Sequence, residues 1–194
     1  STFSPYWGIL SHLGDGGSMD FVSMVRTAAL KNRSLLVVGI DPDPARFPRS
    51  MASRGPDAVF DFCTAIVDAT ADLVCAYKPQ IAHFSAISAE SALEAIIEHI
   101  HTRHPGIPVV LDAKRGDIGS TAERYAVEAF ERYRADAVTL NPYLGRDAID
   151  PFLAYPQKGC ILLCRTSNPG GAEIQMLCVG EERLYERIAH CAVS

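Results

Sequence analysis

The sequence carries no basic excess, no apolar run of membrane length and no paired-cysteine motif, and each absence excludes a class of function. Its 18 lysines and arginines face 23 aspartates and glutamates, a formal net charge of −5. That balance argues against nucleic acid or an anionic membrane as partner, whereas a small anionic ligand needs only a few local cations. A spanning helix needs ~20 consecutive apolar residues, and no run approaches that length. No secretory signal is visible either, so the cytoplasm is the expected compartment. Cys63, Cys75, Cys160, Cys164, Cys178 and Cys191 form no C-x-x-C pair, and four of the six fall inside apolar runs. That is the pattern of buried thiols in a reducing compartment rather than of a disulfide framework. There is no G-x-G-x-x-G after the first apolar run and no P-loop. His83, His99, His101 and His104 show no ligand pattern with acids or cysteines, and no metal is expected.

What the sequence does have is a regular alternation. Apolar runs at residues 35–40, 73–77, 107–111, 135–140 and 160–164 alternate with segments of helical periodicity. Val59, Phe62, Cys63, Ile66 and Val67 make one such stripe; Leu93, Ile96, Ile97 and Ile100 make another. Ser120-Thr121-Ala122-Glu123 has the S-x-x-E form of a capping box opening the third helix, and a last helical segment starts near Glu181. Five β-α units predict a parallel sheet whose strands are covered on both faces. Polar residues stand at every strand's carboxyl end: Asp41, Lys78, Asp112 with Lys114, Asn141, and the stretch 165–168. Parallel folds keep their chemistry on that face, and a (β/α)8 barrel accounts for it better than an open doubly wound sheet. Such barrels typically take about 250 residues. Residues 19–194 are therefore expected to hold about five of the eight units, as the N-terminal part of a single barrel domain. Gly16-Gly17-Ser18 before Met19 reads as a flexible junction, which makes residues 1–18 a leader, tag or fused peptide.

The densest chemistry lies at V-L-D-A-K-R-G-D-I, residues 110–118. Strand alternation points Asp112 and Lys114 to the same face, while Asp117 follows in a Gly-flanked turn before a helix. An isolated D-x-K reads equally well as a strand-end salt bridge. The polar ends of the other four strands favour a shared site.

At D-A-K-R-G-D-I-G-S-T-A the chain resembles the orotidine 5′-phosphate decarboxylase family, in particular its longer-chain bacterial branch. The D-x-K-x-x-D-I signature is complete at Asp112, Lys114, Asp117 and Ile118. V-G-I-D-P-D-P at 38–44, Y-K-P-Q at 77–80, N-P-Y-L-G at 141–145 and T-S-N-P at 166–169 are similar to that branch as well, in the same order, across roughly residues 19–190. The resemblance implies a homodimer of (β/α)8 barrels with shared active sites. Each would decarboxylate orotidine 5′-monophosphate to uridine 5′-monophosphate, in pyrimidine biosynthesis, with no metal or organic cofactor. It further implies that Asp41 binds the ribose and that Lys78 touches both ribose and the charge array. Asp112 would face the substrate carboxylate, and Lys114 would deliver a proton to pyrimidine C6. Asp117, Ile118 and Thr121 would reach into the neighbouring subunit's site, and Ser167 would contact the pyrimidine. The family's phosphate grip sits on loops after the seventh and eighth strands. These residues by themselves are thus expected to bind uridine 5′-monophosphate poorly.

Two rivals remain at this stage. One is a magnesium-dependent sugar-phosphate decarboxylase or aldolase of the same superfamily, which shares D-x-K-x-x-D. Such relatives place an acid at the end of the second strand, where Lys78 stands here, and a cation is a poor neighbour for magnesium. The other is an inactive fragment or fusion scaffold, for which the Gly-Gly-Ser junction is the motive.

Overall fold

A computed structural model describes residues 19–52 and 57–192, so the expectation for residues 1–18 lies outside the described residues. The first helix, α1 (Phe21–Asn32), begins where the Asp20 carboxylate accepts the Ser23 N–H at 2.8 Å and ends at Arg33, whose φ of 48° is left-handed. After it come β1 (Val37–Ile40), the short α2 (Arg49–Ala52) and α3 (Ala58–Thr70), then β2 (Ala76–Pro79), α4 (Ile81–Ser85) and α5 (Glu90–Arg103). The middle of the chain forms β3 (Val110–Arg115), α6 (Gly119–Val127), β4 (Ala137–Leu140), α7 (Asp150–Leu153) and β5 (Gly159–Leu162). The described chain closes with α8 (Gly171–Gln175), the short β6 (Cys178–Val179) and β7 (Glu182–Arg183), and α9 (Leu184–Cys191).

The first five strands are parallel and lie in sequence order. β1 pairs with β2, and β3 with β4 and then β5. The bridges Tyr77↔Val109 and Gln80↔Asp112 join the two groups. A doubly wound sheet reverses its strand order at a switch point, and this sheet does not, so the architecture is that of consecutive units of a (β/α)8 barrel. The main core packs Tyr77, Leu111 and Val138 of the strands against Val67 of α3, Leu93, Ile96 and Ile100 of α5, and Phe130. Tyr77 fixes the orientation of β2, because its buried hydroxyl donates to the Val67 carbonyl at 2.7 Å on the helical side. By alternation, Lys78 faces the opposite, inner side. The α1 helix covers the amino ends of β4 and β5. Phe21 packs so closely on Gly159 that any β-carbon there would sit 2.3 Å from its ring. No helix among the described residues is long and apolar enough to cross a membrane.

Four expectations need correction. β1 and β5 are not covered on both faces: as the outer strands of this sheet they leave Leu35 and Leu36 before β1, together with Val37 and Ile161, exposed. β2 and β3 start three residues later than the apolar runs suggest and extend into Lys78 and Arg115. The charges at those ends have partners, Lys78 on Asp112 and Arg115 on Glu128, so they do not break the strands. The capping box does not form. α6 starts at Gly119 with Ile118 as its cap, which leaves Ser120 and Thr121 inside the first turn. Finally, residues 178–183 form a two-stranded antiparallel ribbon, and the last helix begins only at Leu184. The cysteines are mixed. Cys63 and Cys75 are buried, Cys160 and Cys164 half-buried, and Cys178 and Cys191 exposed. Burial alone pushes the Cys63 thiol up to about 12 and that of Cys160 to about 11, so neither carries thiolate at neutral pH.

Candidate active site

Asp112, in the middle of β3 and level with the carboxyl end of β2, is 6% exposed and stands at the centre of the strand-end charges. Its Oδ2 accepts from Lys78 Nζ at 2.8 Å, and its Oδ1 accepts from Lys114 Nζ at 2.6 Å and from the Thr139 hydroxyl at 2.9 Å. Lys78 can reach across because Gln80, two residues further on the same face and just past the end of β2, is the bridge partner of Asp112. Burial acts to raise the Asp112 pKa, but the bonds from Lys114, Lys78 and Thr139 outweigh it and hold the carboxyl below its ordinary value. Two ammonium groups on one carboxylate leave a net charge of +1. Each ammonium has three N–H donors. Among the described residues each is bonded only to Asp112, so donors remain for an anionic ligand at the strand ends.

The convergence of Asp112 and Lys114 has a cause beyond simple alternation. The pairing of β3 with β4 slips between Leu111 and Arg115, and Lys114 takes a left-handed backbone with φ 48°. A non-glycine residue held there costs about 1–3 kcal/mol. Thr139, 8% exposed on β4, holds this conformation. Its hydroxyl oxygen accepts the N–H of Ala113 at 3.0 Å and of Lys114 at 2.9 Å while its proton goes to Asp112. One donor and two lone pairs are all a hydroxyl has, and all are used. The next residue is locked too. Arg115 donates twice to Glu128 Oε2, at 3.1 and 2.8 Å, and its guanidinium lies 4.4 Å from the centre of the Tyr125 ring. Glu128 opens a π-helical turn, Glu128–Arg132, that continues α6. Gly116 lets Asn141 approach, for a β-carbon would stand 3.1 Å from the Asn141 carbonyl oxygen.

Of the residues singled out from sequence, Lys78, Asp112 and Lys114 come together. Asp41 lies one residue past β1, whose last pair is Ile40↔Pro79, and is exposed on the same strand-end face. Ser167 is exposed beyond β5, in a loop held by Gln175, which accepts the Thr166 N–H at 2.9 Å and donates to the Thr166 hydroxyl at 2.7 Å. Asp117 is not brought onto Lys114: among the described residues they form no ion pair, and Asp117 Oδ1 instead accepts the Ile118 N–H at 2.8 Å. Ile118 is 56% exposed and Thr121 is exposed. Thr139, Arg115 and Glu128 escaped the sequence reading. The one available signal was a lone polar residue in the apolar stretch A-V-T-L, two positions before Asn141.

The histidines also need correction. His99 and His104 do meet an acid: their Nε2 atoms lie 2.7 and 2.6 Å from Asp68 Oδ1. Asp68 is 31 and 36 residues away along the chain, too far for local spacing to disclose. His101 is bonded to the buried Asp136 at 3.0 Å.

Comparison with known proteins bears on this geometry. The family model described as orotidine 5′-phosphate decarboxylase / HUMPS family matches residues 34–192. The chain is 68% identical over 171 residues to the orotidine 5′-phosphate decarboxylase of Azoarcus sp. (strain BH72), covering 88% of this chain and 63% of that protein. It is 67% identical over 174 residues to that of Dechloromonas aromatica (strain RCB), covering 90% and 64%. Among solved structures, OMP decarboxylase of Leishmania donovani superposes with a TM-score of 0.78 at 39% identity over 90% of this chain and 65% of that one. UMP synthase of the same organism superposes with a TM-score of 0.79 at 40% identity, over 90% and 36%. The chain thus spans less than two thirds of the length of the curated relatives it matches.

Proposed function

Because the chain belongs to the orotidine 5′-phosphate decarboxylase / HUMPS family, we propose that the protein decarboxylates orotidine 5′-monophosphate to uridine 5′-monophosphate with its own side chains alone. The observation that carries this reading is the buried Asp112 carboxylate clamped between Lys78 and Lys114 at the carboxyl ends of the strands. Losing carbon dioxide from pyrimidine C6 breaks a carbon–carbon bond and leaves its electron pair on C6. A fixed ammonium lowers the energy of that charge electrostatically and then supplies the proton that ends it. Lys114 takes this role, and its neutral amine recovers a proton from solvent. Asp112, held ionised, crowds the substrate carboxylate, and the repulsion is relieved as carbon dioxide departs. Binding energy from the distant phosphate offsets the cost of that crowding. Magnesium chemistry at Asp112 is disfavoured, since Lys78 already occupies the carboxylate at 2.8 Å.

In this reading Asp41 holds the ribose and Ser167 the pyrimidine, and Asp117, Ile118 and Thr121 serve the site of a second subunit. The exposure of Ile118 and Thr121 and the lack of a Lys114–Asp117 pair support that last assignment. Assaying the whole protein in D2O tests the reaction: it should release carbon dioxide from orotidine 5′-monophosphate and place one deuterium at C6 of the product. Failure to release carbon dioxide would overturn the proposal. The shared site has its own test. Mixing Asp117→Ala with Lys114→Ala subunits should restore activity in hybrid sites, and confirmed subunit exchange without recovery would rule out a cross-subunit role for Asp117.

A further inference from the structure

We propose that Asp68, His99 and His104 form a surface site for a divalent transition metal of the zinc class, at the opposite end of the sheet from Lys114. Their ligand atoms lie within 4.8 Å of one another, and both imidazoles present Nε2 to the same carboxylate oxygen, at 2.7 and 2.6 Å. Two neutral imidazoles and a carboxylate are a donor set suited to zinc, with a fourth position left for water. The three residues belong to the connections that enter β2 and β3. Asp68 lies in the last turn of α3, His99 on α5, and His104 at the cap that ends α5. Occupancy would therefore tie α3 to α5 at the amino ends of the strands, away from the lysine–aspartate cluster and independent of the decarboxylase reading.

The site is largely preorganised. The side chains of His99 and His104 are only 19% and 21% exposed. The His99 ring packs edge-on against Phe60 at 6.1 Å and against His104 at 5.9 Å, which limits ring rotation. Asp68, by contrast, is 51% exposed, so its carboxylate can turn. A small turn is required. Hydrogen-bond contacts must open to the roughly 3.3 Å that separates tetrahedral ligands when metal bonds are ~2.0–2.1 Å. A cleft of about 520 Å³, lined by Asp68, His104, Asp72, Lys31 and Arg103 among others, gives solvent and the metal a route in.

The test is titration of chelator-stripped whole protein with Co2+, followed by competition with Zn2+. One equivalent of Co2+ should give the visible absorption of a four-coordinate nitrogen–oxygen site without a thiolate charge-transfer band, and Zn2+ should displace it. Losing an outer-shell partner alone commonly costs 10–100-fold in metal affinity. Removing two ligands in His99→Gln/His104→Gln should therefore weaken binding by more than about 100-fold. Asp68→Asn should weaken it while retaining wild-type circular dichroism. The Cys178→Ser/Cys191→Ser variant should bind as wild type. Equal affinity in the wild type and the histidine double variant, or a thiolate band lost in the cysteine variant, would overturn the proposal.

Discussion

Two buried aspartates sit at opposite ends of the same pair of strands, and they do different work. Asp112 lies within β3, level with the carboxyl end of β2; Asp136 lies just before β4, at the amino end. They are 6% and 7% exposed, and both carboxyls are held below their ordinary value although burial acts to raise them. Asp136 is tied to framework. Its Oδ2 accepts the Val109 N–H at 2.9 Å and faces His101 at 3.0 Å, and its Oδ1 lies 3.5 Å from Lys158. Its own backbone bonds Val109 and Gly159, so one residue joins the starts of β3 and β5. Asp112 is held instead by two lysines whose side chains are 35% and 47% exposed, one of them on a left-handed backbone. Burial and a depressed pKa are common to both. Partners with unused donors facing solvent, and local strain, distinguish the site from the staple.

The sharpest way to break this comparison is Lys114→Ala in the whole protein. Under the proposed function that substitution removes a positioned acid and an electrostatic stabiliser together, so kcat/KM should fall by at least about 10³-fold. The fold should survive, because Lys114 is half exposed and its backbone bonds to Thr139 do not need the side chain. Near-normal turnover in a folded variant would remove Lys114 as proton donor.

The aspartates themselves give the next largest effect, in stability. Asp136→Ala strands the Val109 N–H and His101 inside the framework and should cost roughly 3 kcal/mol in denaturant unfolding. Asp112→Ala frees two lysines that can turn to water and leaves only the Thr139 hydroxyl proton without its acceptor, so it should cost about 1–2 kcal/mol while abolishing turnover. The pH dependence follows from the direction of the shifts. Each carboxyl is depressed in the folded state relative to the usual ~3.9. Each therefore contributes stability that is fully present above that value and is lost as pH falls through the folded pKa. Asp136→Asn should accordingly flatten the acid limb of the stability curve below about pH 4. Equal stability losses at Asp112 and Asp136 would erase the distinction between site and staple.

Much of this was legible in sequence, for identifiable reasons. Five apolar runs with polar ends were enough to place the parallel strands and the face on which Lys78, Asp112 and Lys114 gather, because alternation and strand polarity are local properties. The D-x-K spacing put Asp112 beside Lys114 directly. What could not be read depends on partners distant in sequence. Thr139 acts 25 and 27 residues away, through backbone N–H groups and a carboxylate. The left-handed turn at Lys114 is unfavourable on local grounds, and Thr139 bonds the N–H groups of both Ala113 and Lys114 there. Asp136 looked like an ordinary loop acid before a strand, and Asp68 a helix-surface one, until folding brought histidines to them. The exposure of Leu35 and Leu36 ran against hydrophobicity altogether.

The finest test of the comparison is Thr139→Val, which keeps shape and removes only the hydroxyl. Val has no acceptor for the Ala113 and Lys114 N–H groups, and Asp112 Oδ1 loses one of its two donors. Leaving these part-buried donors without partners should cost about 1–2 kcal/mol of stability. The left-handed turn then loses what offsets its strain, so the Lys114 ammonium is held less closely against Asp112. Misplacing a catalytic group by about 1 Å can cost as much as 10²-fold, so kcat should drop roughly tenfold or more while KM moves little. Thr139→Ser restores the hydroxyl and should recover most of that loss. A purely structural threonine would lower stability without moving kcat, and serine would then restore folding but have no rate to rescue. A kcat unchanged in stably folded Thr139→Val would show that the aspartate–lysine pair keeps its geometry without the hydroxyl that bonds both of its residues.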